Sequence, residues 1–381
     1  MATGEDDRIT RSARSYENYR HTAHFAGLNG IRCLAVVAVV WHHCHHGEWQ
    51  LPARGFLGVD LFFVLSGFLI ATLLLREREA TNTIALGRFW LRRCLRLMPA
   101  LYLLLALLTV YYAAHSNSAR ADIFFRSLPA NALYYSNWAS RNTGVPGLWS
   151  LATEEQFYLI WPLIESFGAA LAWPLLALAM LVNQALNFGL LDPWLAGLLP
   201  APPRTFEIVA ATYMPICLGI AAARLLHQPR SHGIMWRVLD SSATAWLIIT
   251  LLILLAGWGP SDMRGWPRLA AQLLMALLIA TIVLRPADAV VRLLEWRPAA
   301  RIGSISYGLY LYHLWANHAA WKVARGIGDE SDLLLFMLTL GFGIIAAALS
   351  YRWMEAPLLR FAHRFRAQRG ALMGDSGGAP S

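Results

Sequence analysis

The run "SSATAWLIITLLILLAGWG", beginning at Ser241, contains no charged residue, and neither does "LLLFMLTLGFGIIAAALS", beginning at Leu333. About 18 consecutive apolar residues suffice for a helix to cross the roughly 30 Å of a bilayer's hydrocarbon core. A water-soluble domain has no use for such segments in series. The composition agrees: 57% of the 381 residues are hydrophobic and 14% are charged, where a soluble domain carries about 25% charged residues. Mean hydropathy is +0.44. No ten-residue segments of alternating polarity are visible, so a transmembrane barrel is not indicated. The fold class expected is all-α, a polytopic transmembrane bundle.

Apolar periodicity and length place ten spans, at about 28–45, 56–75, 98–114, 152–168, 169–188, 206–225, 242–258, 268–284, 303–321 and 333–351. Residues 1–25 read as a polar N-terminal tail, 26–368 as the membrane domain and 369–381, ending "GDSGGAPS", as a disordered tail. The N-terminal segment lacks the apolar stretch and small-residue site of a cleaved signal peptide. Basic residues crowd into alternate connections: the N-terminal tail, Arg76–Arg96, Arg224–Arg237, Arg285–Arg301, and the chain from Arg352 onward. By the positive-inside rule those connections and both termini face the cytoplasm, in a multi-pass protein of the cell membrane. The net charge of +9 then reflects this bias and contact with anionic lipid. A nucleic-acid partner is not expected, since no soluble basic domain is present. The four cysteines are scattered and form neither a CxxC pair nor a disulfide framework.

Ionisable groups inside the spans carry the functional signal, because hydrocarbon makes them costly and they normally face a bundle interior. In "RCLAVVAVVWHHCHHGEW", Arg32 and His43 are eleven residues apart, which puts them about 20° from one helix face and about 16 Å apart along it. His42 and His46 diverge by about 80° and about 40°. Asp60 in "GFLGVDLFFVLSGFLI" comes down the next span at nearly matching depth. A carboxylate there would fix the imidazole's tautomer and strengthen it as a base. On that pairing, Asp60→Asn costs activity and spares expression. Two other readings stand beside it. A histidine at a span end is commonly interfacial, and His42–His45, His42–His46 and His43–His46 have the helical spacing of zinc ligands.

Three further stretches matter. In "RFWLRRCLRLMP", Arg93 and Arg96 share a helix face; they serve either as ordinary positive-inside anchors or as a phosphate clamp, since guanidinium forks match phosphate oxygens. In "GLWSLATEEQFYLIWPLI", Thr153 and Gln156 fit a capping box, with Glu154 and Glu155 at the positive end of a helix dipole. Adjacent residues project about 100° apart, so one of the two glutamates is expected to face a given cavity. In "ISYGLYLYHLW", Ser306, Tyr310 and His313 line one helix face, as a packed aromatic stripe or as part of a site.

Taken in order, these segments resemble the integral-membrane acyltransferases called acyltransferase family three. The matching motifs are Arg32 with His43; G-x-x-G-V-D-x-F-F-V-x-S-G-F over Gly55 to Phe68; R-R-x-x-R-x-x-P over Arg92 to Pro99; W-S-L-x-x-E-E-Q-F-Y over Trp149 to Tyr158; and S-Y-x-x-Y-x-x-H over Ser306 to His313. The resemblance implies transfer of an acyl group, usually acetyl, from cytoplasmic acyl-coenzyme A to a hydroxyl. The acceptor would be a surface-glycan sugar or a macrolide-type metabolite. It implies His43 as general base, oriented by Asp60 or by Glu154 or Glu155, or else as the bearer of an acyl-histidine intermediate. Arg32, Arg93 and Arg96, with Ser66, Tyr310 and His313, would hold the donor along one continuous passage. No metal is expected. Because the sequence ends soon after the tenth span, the extracytoplasmic hydrolase-like domain of some relatives is not expected. The rival function is a proton-coupled transporter or channel built on the same intramembrane residues.

Overall fold

The computed structural model describes residues 2–45, 47, 50–138, 144–194, 204–260, 263–358 and 360. Among the described residues every regular element is helical. The chain opens with α1 (Ala2–His21), α2 (Leu28–Cys44), the short α3 (Gln50–Ala53), α4 (Leu57–Thr81) and α5 (Leu86–Ala114). Then come α6 (Ala119–Ala132), α7 (Leu148–Phe167), α8 (Ala172–Asn187) and α9 (Arg204–His227). The second half holds α10 (Pro229–Leu239), α11 (Ser242–Trp258), α12 (Trp266–Leu284), the short α13 (Ala289–Leu294), α14 (Arg297–Ser304), α15 (Ser306–Ile327) and α16 (Asp332–Ser350).

Each of the ten apolar segments coincides with a helix, from α2 to α16. Among the described residues five helices are long and apolar enough to cross a membrane, or six if the bent pair α10 and α11 counts as one span. The molecule is a multi-pass membrane protein. The expected C-terminal tail, 369–381, and His46 lie outside the described residues.

The bundle is organised by backbone contacts that only glycine permits. A Cβ on Gly55 would lie 2.0 Å from the Ala38 carbonyl oxygen, and one on Gly58 would lie 2.3 Å from that of Ala35. The G-x-x-G spacing is therefore the contact face between α4 and α2, and it fixes the depth of Asp60 against the histidine segment. On its other side α4 meets α9 in the same way: a Cβ on Gly67 would lie 2.2 Å from the Ile216 oxygen, and one on Gly219 would lie 2.0 Å from that of Val64. Small residues let membrane helices approach until dispersion holds them. Around this seam Phe63, Phe68, Ile70, Leu74, Ile216 and Ile220 are all under 2% exposed. Helix α2 also packs on α14, α15 and α16, so the Arg32–His43 stripe runs through the middle of the molecule.

The expected polar N-terminal tail contains a helix. Its first 20 described residues form α1, which docks on the bundle through Tyr19, 3% exposed. Arg76 donates to the backbone carbonyls of Tyr19 and Thr22, and Arg20 pairs with Glu79 at 2.5 Å. Ser15 and His232 approach to 3.2 Å. Polar composition hid this helix, because its attachment is made by hydrogen bonds and two tyrosines rather than an apolar stripe.

Gly58→Val tests the seam. We expect a loss of about 1–3 kcal/mol for overpacking against backbone that cannot retreat, read as a lower unfolding midpoint of the purified protein in detergent. Gly87→Ala, where nothing lies within 4 Å of the added carbon, is expected to hold or slightly raise the midpoint. Equal midpoints for the two variants would remove the seam from the account.

Candidate active site

One end of the α2 stripe opens into a polar cavity of about 90 Å3. Arg32 comes from α2, Ser66 from α4, Arg93 and Arg96 from α5, Ser150 and Glu154 from α7, and Ser306 and Tyr310 from α15. Five separate motifs thus meet on one void. Three guanidinium groups share it with a single lining carboxylate, Glu154, which already accepts from the Ser66 hydroxyl and, at 2.7 Å, from Tyr158. Arg93 lies over the Tyr158 ring at 4.4 Å, and Arg32 donates to Asn29 at 3.1 Å. Glu155 is not among the lining residues, in keeping with the angular offset of neighbours on a helix. Two further acids act on these cations from behind the lining, Glu155 on Arg93 and Glu355 on Arg96, and the guanidinium groups offer forks that match an anion's oxygens.

The other end of the stripe holds a pair of imidazoles. His43 and His313 face each other edge to face, with ring centroids 4.8 Å apart. His43 Nδ1 is 2.9 Å from the Val39 carbonyl oxygen, and His313 Nδ1 is 2.5 Å from that of Tyr310. A carbonyl only accepts, so each Nδ1 carries a hydrogen, and in the neutral form of each ring Nε2 keeps its lone pair. His313 is 1% exposed, and its Nε2 has no hydrogen-bond partner among the described residues. The neutral tautomer with a free Nε2 is the form a general base requires.

Tyr310 separates the two ends. Its ring lies 5.4 Å from His313 and 6.2 Å from Phe62, and its hydroxyl is 2.6 Å from Ser150 Oγ and 3.2 Å from the Gly147 carbonyl. The cavity lining reaches Tyr310 and Phe62 and does not include His43 or His313. The arginine cavity thus stops at Tyr310 and Phe62, short of the histidine pair, and does not by itself form the expected continuous passage.

Two pairings expected from sequence are replaced. Asp60, 0% exposed, does not orient His43; it forms a forked ion pair with Arg268, at 2.5 Å and 2.8 Å, and accepts from Gln272 at 3.3 Å. The Val39 carbonyl fixes the His43 tautomer instead. Nor do Thr153 and Gln156 cap a helix. Helix α7 starts earlier, at Leu148, after Gly147 at φ 94°, and Thr153 donates to Trp149 inside it at 3.0 Å. Gln156 is a hub, giving hydrogens to the Tyr134 carbonyl and Asn137 and receiving them from Trp138 and Tyr213. Arg268, distant in the chain, gave no signal in the sequence, whereas the start of α7 was announced by "PG" at Pro146–Gly147.

The remaining histidines of the cluster go separate ways. His45 pairs with Asp332 at 2.9 Å, and His42 packs edge-on against Phe56. Asn317 donates to Cys44 Sγ and to Thr339. Among the described residues no three His, Cys, Asp or Glu side chains are placed to share a metal ion.

The chain matches the model of an acyltransferase domain over residues 25–353. It is 30% identical over 336 residues to the peptidoglycan O-acetyltransferase OatA of Listeria monocytogenes, covering 82% of this chain and 53% of that protein. It is 28% identical to the putative peptidoglycan O-acetyltransferase YrhL of Bacillus subtilis, covering 82% and 52%, and 26% identical to a putative O-acetyltransferase of Staphylococcus aureus, covering 82% and 54%. The chain thus spans about half the length of these curated relatives. No solved structure matches it.

The Asp60 pairing makes a prediction opposite to the one from sequence. Asp60→Asn leaves a buried guanidinium without its counter-charge, which typically costs about 3–5 kcal/mol, so the variant is expected to lose folded yield rather than activity alone. The double replacement Asp60→Leu with Arg268→Met is expected to recover much of that yield, measured by size-exclusion of the detergent-solubilised protein. Full yield for Asp60→Asn would contradict the assignment.

Proposed function

Because the chain belongs to the acyltransferase family just described, we propose that this enzyme is an O-acetyltransferase of the cell membrane that takes its acyl group from acyl-coenzyme A and gives it to a sugar hydroxyl. An acyl-transferring enzyme has no need of the transporter reading. The observation that carries the proposal is the stripe itself: α2 and α15 both line the cavity that holds Arg32, Arg93 and Arg96, and the same two helices bring His43 and His313 together beyond Tyr310.

In this reading all ten apolar helices span the bilayer, and the arginine end faces the cytoplasm, as the distribution of basic connections requires. The donor's phosphates bind Arg93, Arg96 and Arg32, and its pantetheine arm turns the Tyr310 ring aside. The thioester carbonyl then lies beside His43. His43 Nε2 takes the proton from the acceptor hydroxyl as that oxygen attacks the carbonyl carbon; the C–S bond breaks, and the departing thiolate recovers the proton from the imidazolium. His313, its ring oriented by the Nδ1–H bond to the Tyr310 carbonyl, flanks the acceptor hydroxyl. Glu154 keeps Ser66 and Tyr158 in place at the cavity wall, a positioning role. A glycan acceptor is favoured because two of the relatives are named for peptidoglycan.

The test is release of free thiol by the purified protein given acetyl-coenzyme A and a muropeptide or oligosaccharide acceptor. His43→Ala is expected to lower turnover by at least about 100-fold, the scale of a lost general base, with binding of labelled coenzyme A unchanged. Arg93→Gln or Arg96→Gln is expected to weaken donor binding by about tenfold or more, the loss of one charge-assisted contact, with less effect on turnover at saturation. Wild-type turnover in His43→Ala would end the proposal.

A further inference from the structure

The histidine cluster after Trp41 supplies His43 to the proposed reaction and leaves His45 unused. His45 stands just past the end of α2, and its side chain is 7% exposed. Its Nδ1 lies 2.9 Å from a carboxylate oxygen of Asp332, the first residue of α16. An ionised carboxylate only accepts, so Nδ1 carries a hydrogen, and in the neutral ring Nε2 keeps its lone pair. That Nε2 is buried and has no hydrogen-bond partner among the described residues. A buried polar atom in this state calls for a water or a ligand. A side chain at position 47 would press on the ring edge between the two nitrogens: a Cβ on Gly47 would lie 3.1 Å from His45 Cε1.

The chemistry of the missing partner follows from the lone pair. Neutral Nε2 can only accept, so the partner brings a hydrogen; an ionised carboxylate or phosphate brings none. His45 comes two residues after His43, so their backbones are within about 7 Å of each other in any conformation. Helix α16, which delivers Asp332, packs on both α2 and α15, the two helices that present His43 and His313. Asn317 of α15 fastens this joint by donating to Cys44 Sγ and to Thr339. The proposed base and an unpaired acceptor therefore share one end of α2, the end left for the acceptor when the donor enters from the arginines. A sugar offers hydroxyls on neighbouring carbons, one to react and others to bind. We propose that His45 is a specificity-determining residue for the acceptor: its Nε2, with the ring oriented by Asp332, accepts a hydrogen bond from a second hydroxyl of the sugar whose first hydroxyl meets His43. Asp332 is then a positioning residue. This role presupposes the O-acetyltransferase reading above and requires an acceptor with at least two neighbouring hydroxyls.

The experiment is release of free thiol by the purified protein given acetyl-coenzyme A and the peptidoglycan disaccharide, or each of its monodeoxy analogues in turn. In the wild type, at least one analogue that still accepts acetyl is expected to lose about tenfold in kcat/KM, the scale of one hydrogen bond. His45→Asn keeps an amide N–H to meet Asp332 and removes the Nε2 acceptor. It is expected to raise KM for the full disaccharide about tenfold, to be indifferent to that same deoxygenation, and to keep the wild-type unfolding midpoint. His45→Gln, whose amide oxygen reaches the place of Nε2, is expected to recover part of the lost affinity. His115→Asn, at the exposed end of α5, is expected to match the wild type with every sugar. A wild-type KM in His45→Asn, or an equal deoxygenation penalty in both proteins, would overturn the role. So would a raised KM with a lowered midpoint and no recovery in His45→Gln, which would make the His45–Asp332 pair a structural tie between α2 and α16. No thiol release by the wild type with any sugar would instead overturn the transferase reading itself, and this role with it.

Discussion

Hydrocarbon gives a charged side chain no water, so each one inside the bundle must be neutralised by a partner or kept for a ligand. Both solutions occur here, and the contrast between them locates the chemistry. Asp60 with Arg268 and Glu165 with Arg224 are closed pairs, at 2.5 Å in each case, with carboxylates that are 0% exposed. They knit α4 to α12 and α7 to α9. Arg32, Arg93 and Arg96 are arranged differently, crowding one cavity whose lone carboxylate is committed to Ser66 and Tyr158. Three cations lining one open void, with Glu155 and Glu355 set behind Arg93 and Arg96, differ in this from the two closed pairs.

The second device is the division of one stripe at Tyr310. Ser306, Tyr310 and His313 are successive contacts on α15, and they reach in turn the arginine cavity, the dividing wall and the imidazole pair. Tyr310 is held by Ser150 and Gly147 on α7, so the wall depends on the same segment that supplies Glu154. In the proposed reading, a donor that displaces the Tyr310 ring would bring its thioester to the histidines away from the arginine cavity. Hydrolysis of a thioester is the side reaction such a separation would suppress.

Much of this was legible in the amino-acid sequence, because membrane helices announce themselves by length and apolarity, and because Arg32 and His43 obey simple helical geometry. The meeting of Arg93, Arg96, Glu154 and Tyr310 followed the order of the family motifs. Other features were hidden for identifiable reasons. Asp60 and Arg268 are 208 residues apart, and an ion pair between distant helices leaves no periodic trace. The G-x-x-G of α4 could be quoted as a motif, yet its meaning as a backbone contact needed the Ala35 and Ala38 carbonyls facing it. Helix α1 escaped because hydropathy detects apolar surface, and α1 attaches through arginine–carbonyl bonds. The passage was expected to be open because spacing along a helix says nothing about a side chain lying across it.

The central claim is that the arginine cavity and the histidine pair are two halves of one active site, joined when Tyr310 moves. The most direct measurement is a structure of the protein with a non-transferable thioether analogue of acetyl-coenzyme A. The account predicts phosphates against Arg32, Arg93 and Arg96, the Tyr310 ring turned from its place beside Phe62, and the sulfur past it, next to His43. An analogue seated with its sulfur on the arginine side of an unmoved Tyr310, or one bound away from the three arginines, would contradict it.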